Sequence, residues 1–361
     1  MAEKKRLINL QLLRIQSAIM IIAFHCVFHG GAGTKSNLFW IRFIADFIYH
    51  FGELGVSCFI LISGYFFAET KFQFQKFFLI VLETGFYVVI SKLMLTALGY
   101  EAHWDLTGFF PLMRGEYWFV SVYLLIYILQ PWLKQMLPVL EEKQLRLLLL
   151  SQIIIWSVLP TVVLVPVFRL PNTEAVPYYN RYIWFLILYV TGYYIRKYGI
   201  PQFEMNAPLL SKSVRRLFYF APFLFLSIYI IIAESSFSEF DPTYFWPPNS
   251  LLMLIMSISL FYAFKNWKLK CSNRLIDWSA SCALGIYLLH DGELRETIWN
   301  ELLKYSNNGG LSAYILYVVK AVFLVFIAGM IVDSLRRLFE TKLIIPLMNA
   351  VCSKMKSSIH S

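Results

Sequence analysis

The sequence has little charge and no pattern of paired cysteines. Only 15% of its 361 residues are charged, whereas about a quarter of residues are charged in ordinary soluble domains. This composition excludes a soluble globular protein. The five cysteines are an odd number, and no two have the short spacing of a zinc or redox motif. We therefore expect neither a structural disulfide nor a structural zinc ion.

Several other features are absent. No small-residue cleavage site follows the basic N-terminal residues, so we expect the first apolar segment to stay attached. No loop exceeds about 25 residues, too few for a separate folded domain, and we predict one membrane-embedded domain over residues 1–361. No basic soluble domain carries the net charge of +10, so nucleic acid is not an expected partner. No internal repeat of the transporter type is evident.

Apolar residues are abundant, at 58% of the chain. About ten stretches have the roughly 17–25 residues that a membrane-spanning helix needs. They lie near residues 10–29, 45–67, 76–98, 117–137, 146–167, 180–197, 216–233, 249–265, 279–299 and 311–333. We predict an all-α, polytopic membrane helix bundle with both termini cytoplasmic. That orientation places 22 of the 32 Lys and Arg residues inside and 7 outside, as the positive-inside rule predicts.

Two polar side chains in the first apolar stretch, Arg14 and His25, give the strongest functional signal. At about 100° per residue they share one helical face, about 16 Å apart along the axis. An Arg at the centre of a membrane helix costs roughly 2.5–3.5 kcal/mol, so the pair indicates a partly wet path lined by protein. For Arg14, snorkelling to the cytoplasmic headgroups is an equal alternative. His25 lies too deep for that explanation.

Other polar residues occur near the outer ends of the predicted spans. His29 lies one turn beyond His25, and such a pair is a candidate metal site. No third histidine or carboxylate accompanies it in the sequence, so we expect no bound metal. Tyr287 and His290 share a face at i, i+3, in a site or at the membrane interface. The Pro-rich segment 241–248 resists regular helix, and we expect it to form a stiff lip over the outer opening.

The second stretch combines an acid with small residues. Glu53 is a carboxylate at membrane depth, whereas Gly55 and Gly64 are typical of close packing between membrane helices.

Three motifs make the chain resemble the acyltransferase-3 family of integral membrane acyltransferases over nearly its whole length. They are Arg14 and His25, separated by ten residues; Gly55-Val56, Phe59 and Ser63-Gly64-Tyr65; and Ser281 with Gly285-Ile286-Tyr287-Leu288-Leu289-His290. The triplet Tyr117-Trp118-Phe119 resembles one that opens a middle helix of the family. The chain departs from the family in having Ile15-Gln16-Ser17, where small residues often follow the Arg.

The resemblance implies a membrane-bound O-acyltransferase. Its members transfer an acyl group, most often acetyl, from cytoplasmic acyl-CoA to a hydroxyl of an extracytoplasmic surface polysaccharide or its lipid-linked precursor. The implied location is a bacterial plasma or inner membrane. Hydroxyls need a base near pKa 6.5, and His25 is the candidate, as base or as acyl carrier. Arg14 would bind phosphate or carbonyl oxygens of the donor, and Glu53, or alternatively Asp291, would orient a histidine.

The resemblance also implies the substrate contacts and partners. Tyr287, His290, Ser63 and Trp118 are the candidate substrate-binding residues. Acetyl-CoA is expected as a donor substrate, with no permanently bound cofactor, and the other expected partners are the surface glycan, membrane lipid and envelope-assembly proteins. The alternative is a membrane exporter of a polysaccharide or lipid-linked sugar, in which the helical face that carries Arg14 and His25 lines the path of the exported molecule. A purely structural subunit leaves Arg14 and His25 without a purpose.

Overall fold

The computed structural model describes residues 7–102, 104, 117–164, 180–200, 212–235, 240–267, 269, 273–306 and 309–348. Within these ranges the chain contains helices and loops but no strand, which confirms the predicted all-α class. The helices are α1 (Ile8–Phe28), α2 (Phe39–Tyr49), α3 (Phe51–Phe67), α4 (Phe74–Ala97), α5 (Trp118–Met136), α6 (Glu142–Ile153), α7 (Arg181–Lys197), α8 (Lys212–Ala233), α9 (Leu251–Lys265), α10 (Arg274–Ser281), α11 (Ala283–His290) and α12 (Leu311–Phe339). Three π-helical segments cover Ile154–Leu164, Thr297–Leu302 and Glu340–Ile344.

Five helical segments are long and apolar enough to cross a membrane, so the chain is a multi-pass membrane protein. They are Ile8–Phe28, Phe39–Phe67, Phe74–Ala97, Glu142–Val162 and Leu311–Met348. Shorter apolar helices at Leu217–Ala233 and Leu251–Lys265 match the seventh and eighth predicted spans. The total of ten spans and the cytoplasmic termini stay predictions. The basic N-terminal residues and residues 165–167 of the fifth predicted span lie outside the described ranges.

Two predicted spans are broken helices. The second divides into α2 and α3 at His50, and the ninth divides into α10 and α11 at Cys282. These two stretches also carry the most charge at membrane depth. Broken helices are tolerated in a membrane where protein or a polar cavity surrounds them, and both breaks lie in elements that contact α1.

The central helix is α1, which contacts α2, α3, α9, α10, α11 and α12. Its first residues lie at what we call the inner end of the bundle, where the Asn9 amide donates to the Phe264 carbonyl oxygen at 2.9 Å. Its last residues lie at the outer end. There the Tyr117 hydroxyl donates to the Leu288 carbonyl oxygen at 3.3 Å. Each contact joins the start of one helix to the end of another, as expected for helices that alternate in direction.

Glycines set the closest helix crossings. A Cβ at Gly64 of α3 would lie 2.0 Å from the Tyr189 carbonyl oxygen of α7, and a Cβ at Gly192 would lie 2.4 Å from the Leu61 carbonyl oxygen. A Cβ at Gly55 would lie 2.7 Å from the Ser17 carbonyl oxygen of α1. The interpretation of Gly55 and Gly64 as packing residues is confirmed. The crossing at Gly55 places α3 directly against the α1 face that carries Arg14 and His25.

A buried carboxylate, Asp333, joins α12 to α4 in the inner half of the bundle. Its oxygens accept from Arg336 Nε at 2.8 Å and from Arg337 Nε at 2.6 Å. The Tyr87 hydroxyl of α4 donates to Asp333 at 3.2 Å, and Arg336 pairs with Glu83 at 3.2 Å. Each charge in this network therefore has a partner of opposite sign, as burial of charge requires.

Candidate active site

Two buried histidines meet at the outer end of the bundle. His25 is in the last turn of α1, and His290 is the last residue of α11. His25 Nδ1 lies 3.0 Å from His290 Nε2, and His290 Nδ1 lies 2.5 Å from the Ile286 carbonyl oxygen. A carbonyl oxygen only accepts, so His290 Nδ1 carries a hydrogen, and Nε2 of the neutral His290 ring accepts from His25 Nδ1. Nε2 of a neutral His25 is then left with a free lone pair.

A carboxylate, Asp291, faces that lone pair. Its Oδ1 lies 3.6 Å from His25 Nε2 and 3.3 Å from His29 Nε2, and it lies 3.9 Å from a terminal nitrogen of Arg295. A proton taken up by His25 Nε2 would create an imidazolium next to this carboxylate, which stabilises the charge. The arrangement is suited to a general base that accepts a proton from a substrate group.

Polar atoms without a normal hydrogen bond surround the histidine pair. The Tyr287 hydroxyl and the Trp299 indole nitrogen are both buried, and neither makes a hydrogen bond of normal geometry in the described part of the chain, although the Tyr287 hydroxyl interacts electrostatically with Asp291. The Tyr287 ring lies 6.4 Å from the His290 ring and the Trp299 ring lies 6.2 Å from it, each edge to face. Buried polar groups are usually paired, so these two atoms mark a place where a bound molecule has hydrogen bonds to make.

Aromatic rings from three elements form a cluster beside His25. The aromatic cluster consists of Phe24, Phe28, Tyr49 and Trp246. The Phe24 ring lies 5.2 Å from the His25 ring, and Trp246 stacks near Phe24 and Phe28 with ring separations of 6.4 and 6.3 Å. The Tyr49 ring lies 5.3 Å from Trp246.

Trp246 belongs to the Pro-rich segment 241–248, which consists of turns without helix, as predicted. The Tyr244 hydroxyl fixes the segment by donating to the Thr161 carbonyl oxygen at 2.6 Å. Burial raises the pKa of the Tyr244 hydroxyl above its ordinary value, so it stays protonated and remains a donor. The segment lies over the outer end of α1, the position expected of the lip.

Glu53 and Trp118 lie together in a neighbouring group and are not in contact with His25. The Arg181 guanidinium stacks on the Trp118 ring at 4.1 Å and interacts electrostatically with Glu53. Glu53 is buried, and its Oε2 has no hydrogen-bond partner among the described residues. The carboxylate that faces His25 is therefore that of Asp291, which we considered only as an alternative to Glu53.

Arg14 and Ser63 lie in the inner half of the bundle. The Arg14 guanidinium donates to Gln11 Oε1 at 3.2 Å and lies 5.7 Å from the centre of the Phe66 ring. The Ser63 hydroxyl donates to the Phe59 carbonyl oxygen of its own helix at 2.9 Å. Ser63 is thus placed near the predicted donor side, apart from the histidine pair.

The α1 face between Arg14 and His25 is packed, which does not support the partly wet path predicted along it. Ala18 and Ile21 lie between them and are buried, and Ile21 lies against Gly55 of α3, 2.9 Å from the place of a Cβ there. A cavity of about 330 Å³ lies elsewhere, between α4 and α12 at the inner end. Its lining contains three basic residues, Lys76, Arg336 and Arg337, and two acidic residues, Glu83 and Glu340. The Arg336 and Arg337 side chains are already paired with the carboxylates of Glu83, Glu340 and Asp333.

The structure adds to the site three residues that were not leading candidates from the sequence. Asp291 follows His290 directly. A charged residue at the end of an apolar run is the sequence feature that marks Asp291 as a candidate site residue. Tyr117 touches the site through its ring, which lies against Gly292, whereas its neighbour Trp118 does not. Only the fold places His29, distant in sequence from Asp291, beside its carboxylate.

Together these features define a multi-pass helical membrane protein with a buried histidine and carboxylate cluster at one end. The profile of the acyltransferase-3 family, described as an acyltransferase domain, matches residues 7–333. The chain therefore belongs to the acyltransferase-3 family, and its class is that of a membrane acyltransferase. No curated protein and no solved structure gives a significant match.

Proposed function

We propose that this acyltransferase transfers a short acyl group, most simply acetyl, from cytoplasmic acyl-CoA to a hydroxyl of a surface polysaccharide or its lipid-linked precursor. It acts in a bacterial plasma or inner membrane, with the acceptor at the outer end of the bundle. The observation that carries the proposal is the contact between His25 and His290. It gives His25 one fixed tautomer and leaves Nε2 free to accept a proton at that end.

The reaction follows from the roles of three side chains. Nε2 of His25 takes the proton of the acceptor hydroxyl as the oxygen attacks the thioester carbonyl carbon. The carbon–sulfur bond then breaks, and His25 returns the proton to the thiolate of coenzyme A. Asp291 stabilises the imidazolium between these steps, and His290 holds the ring in the reactive tautomer. A positioned base of this kind contributes roughly 10²- to 10⁴-fold to the rate.

Two groups near the histidine pair are suited to substrate contacts. The Tyr287 hydroxyl, which makes no hydrogen bond of normal geometry among the described residues, donates a hydrogen bond to the acceptor or to the thioester oxygen. The aromatic cluster offers ring faces on which the apolar face of a sugar can pack. Trp246 of this cluster belongs to the segment over the outer end of α1, where a glycan would arrive.

The donor approaches from the opposite end. Arg14 lies there with fixed paired donors, which match phosphate or carbonyl oxygens. The distance to His25, about 16 Å along the helix, suits an extended pantetheine arm. Because Ile21 packs against Gly55 on the direct line, the arm passes beside that contact or displaces it.

The test uses the purified protein in liposomes with radiolabelled acetyl-CoA and extracted surface glycan. We expect label to appear on the glycan as an ester that mild base removes. An exporter, the alternative function, would move the glycan across the bilayer and leave it unlabelled. Export without label, under conditions where the protein is folded, would overturn the proposal.

A further inference from the structure

His25, His29 and Asp291 form a compact group of metal-ligating side chains at the outer end. His25 and His29 lie one turn apart on α1, and Asp291 approaches from the end of α11. Their ligand atoms all lie within 4.8 Å of one another, and each side chain is mostly buried. The sequence lacked a third ligand for the histidine pair, and the fold supplies it.

The spacing fits a tetrahedral cation. Zinc bonds to nitrogen and oxygen measure about 2.0–2.1 Å, so two ligands of a tetrahedral ion lie about 3.3–3.4 Å apart. Asp291 Oδ1 lies 3.6 Å from His25 Nε2 and 3.3 Å from His29 Nε2. The separation that must close most is that between the two histidines, and His29 lies at the end of α1, in the C-cap position.

The surroundings also fit a cation. A neutral His25 presents a lone pair to a carboxylate, and two acceptors face each other stably only with a positive species between them. The other nitrogen of His25 is held by His290, which is the outer-shell arrangement typical of metal-bound histidine. Arg295 lies 3.9 Å from Asp291, and its partly exposed side chain can turn outward when a cation binds.

We propose that His25, His29 and Asp291 bind one divalent cation of the zinc type from the outer side, and that this cation reversibly inhibits acyl transfer. It occupies Nε2 of His25, the atom that the proposed function needs for proton uptake. Two imidazoles and one carboxylate leave a fourth position open, as in three-ligand zinc sites. The proposal that a cation binds does not depend on the proposed function, whereas the proposal that it inhibits acyl transfer rests on that function.

The binding test uses the full-length protein in detergent, titrated with Zn²⁺ by calorimetry and with Co²⁺ by visible absorption. The key variant is His29→Gln, and the control is His50→Gln, because His50 contacts the Asp46 carbonyl oxygen outside the cluster. We expect one ion per chain for the native protein and for the control. We expect His29→Gln to weaken binding by at least the roughly 10- to 100-fold that loss of an outer-shell partner costs. Equal binding by the native protein and His29→Gln would overturn the site.

Acyl transfer in metal-free buffer then separates the two proposals. We expect the transfer that His29→Gln retains to resist added Zn²⁺, whereas the native enzyme is inhibited and recovers with chelator. Stimulation by Zn²⁺, or equal inhibition of both proteins, would contradict the inhibitory role. Stoichiometric Zn²⁺ binding with no transfer by any form would refute the proposed function and leave the metal site standing.

Discussion

At the scale of single residues, a carbonyl oxygen sets the chemistry of the site. The Ile286 carbonyl fixes the hydrogen on His290 Nδ1, His290 then fixes the hydrogen on His25 Nδ1, and His25 Nε2 is left free. The sequence motifs contain both histidines. They do not show this chain of hydrogen bonds, because it forms only when the end of α11 packs against α1.

The hydrogen bond from His25 to His290 predicts different kcat values for two substitutions of His290. His290→Leu removes the acceptor for His25 Nδ1, and we expect kcat to fall roughly 10- to 100-fold, part of the contribution of the base. His290→Gln restores an acceptor oxygen and should recover part of that loss. The measurement is steady-state transfer, with KM for both substrates expected to change little. Equal loss in both variants would assign His290 a packing role only.

Arg14 gives a separate prediction on the donor side. Hydrogen bonds to charged groups contribute about 1.5–3 kcal/mol, so Arg14→Ala should raise KM for acyl-CoA by about 10- to 100-fold. Arg14→Lys keeps the charge but not the paired donors, and we expect an intermediate value. Donor titration in proteoliposomes checks this. An unchanged donor KM in Arg14→Ala would mean that Arg14 only reaches the headgroups.

At the scale of helices and loops, α3 and the outer lip position the site. Glycines bring α3 against α1 and α7, and the segment 241–248 places Trp246 over the outer end of α1. Disrupting the glycine crossings of α3 should lower stability. Removing Trp246 from the segment 241–248 should weaken acceptor binding.

The α3 crossing predicts a loss of stability. Gly64→Leu places its Cβ 2.0 Å from the Tyr189 carbonyl oxygen, and overpacking typically costs about 1–3 kcal/mol, so we expect a clear drop in the melting temperature in detergent. The control is Gly310→Ala, because no atom lies within 4 Å of a Cβ at Gly310. Equal melting temperatures for the two variants would contradict the crossing.

The outer lip predicts weaker acceptor binding. Aromatic contacts contribute about 0.5–1.5 kcal/mol, so Trp246→Ala should raise KM for the glycan by about 3- to 10-fold and leave the donor KM unchanged. Trp40→Ala is the matched control, since Trp40 is an exposed tryptophan of α2. A shift of the donor KM instead would place Trp246 outside the acceptor side.

At the scale of the whole molecule, hydropathy predicts the all-helical class and several of the apolar helices, whereas the orientation inferred from charge stays a prediction. The family motifs contain His25, Tyr287 and His290, and the structure brings these three side chains together. The prediction that Glu53 orients the histidine is not supported by a contact, because Glu53 faces Arg181 while Asp291 faces His25. Sequence spacing within one helix cannot show which of two distant acids the packing brings closer.

Arg14 and the histidine pair lie at opposite ends of the bundle. Arg14 lies in the inner half and the histidine pair at the outer end, so the account requires a donor from inside and a product outside. Ala18 and Ile21 are buried between these two ends, so a donor arm that reaches His25 must pass beside them or displace them.

The most direct test uses right-side-out membrane vesicles loaded with radiolabelled acetyl-CoA and supplied with external glycan. The account predicts label on the external glycan with the native protein, and a loss of roughly 10²-fold or more with His25→Ala present in equal amount. Labelling by His25→Ala at the native rate would contradict the central claim that His25 takes the proton from the acceptor hydroxyl.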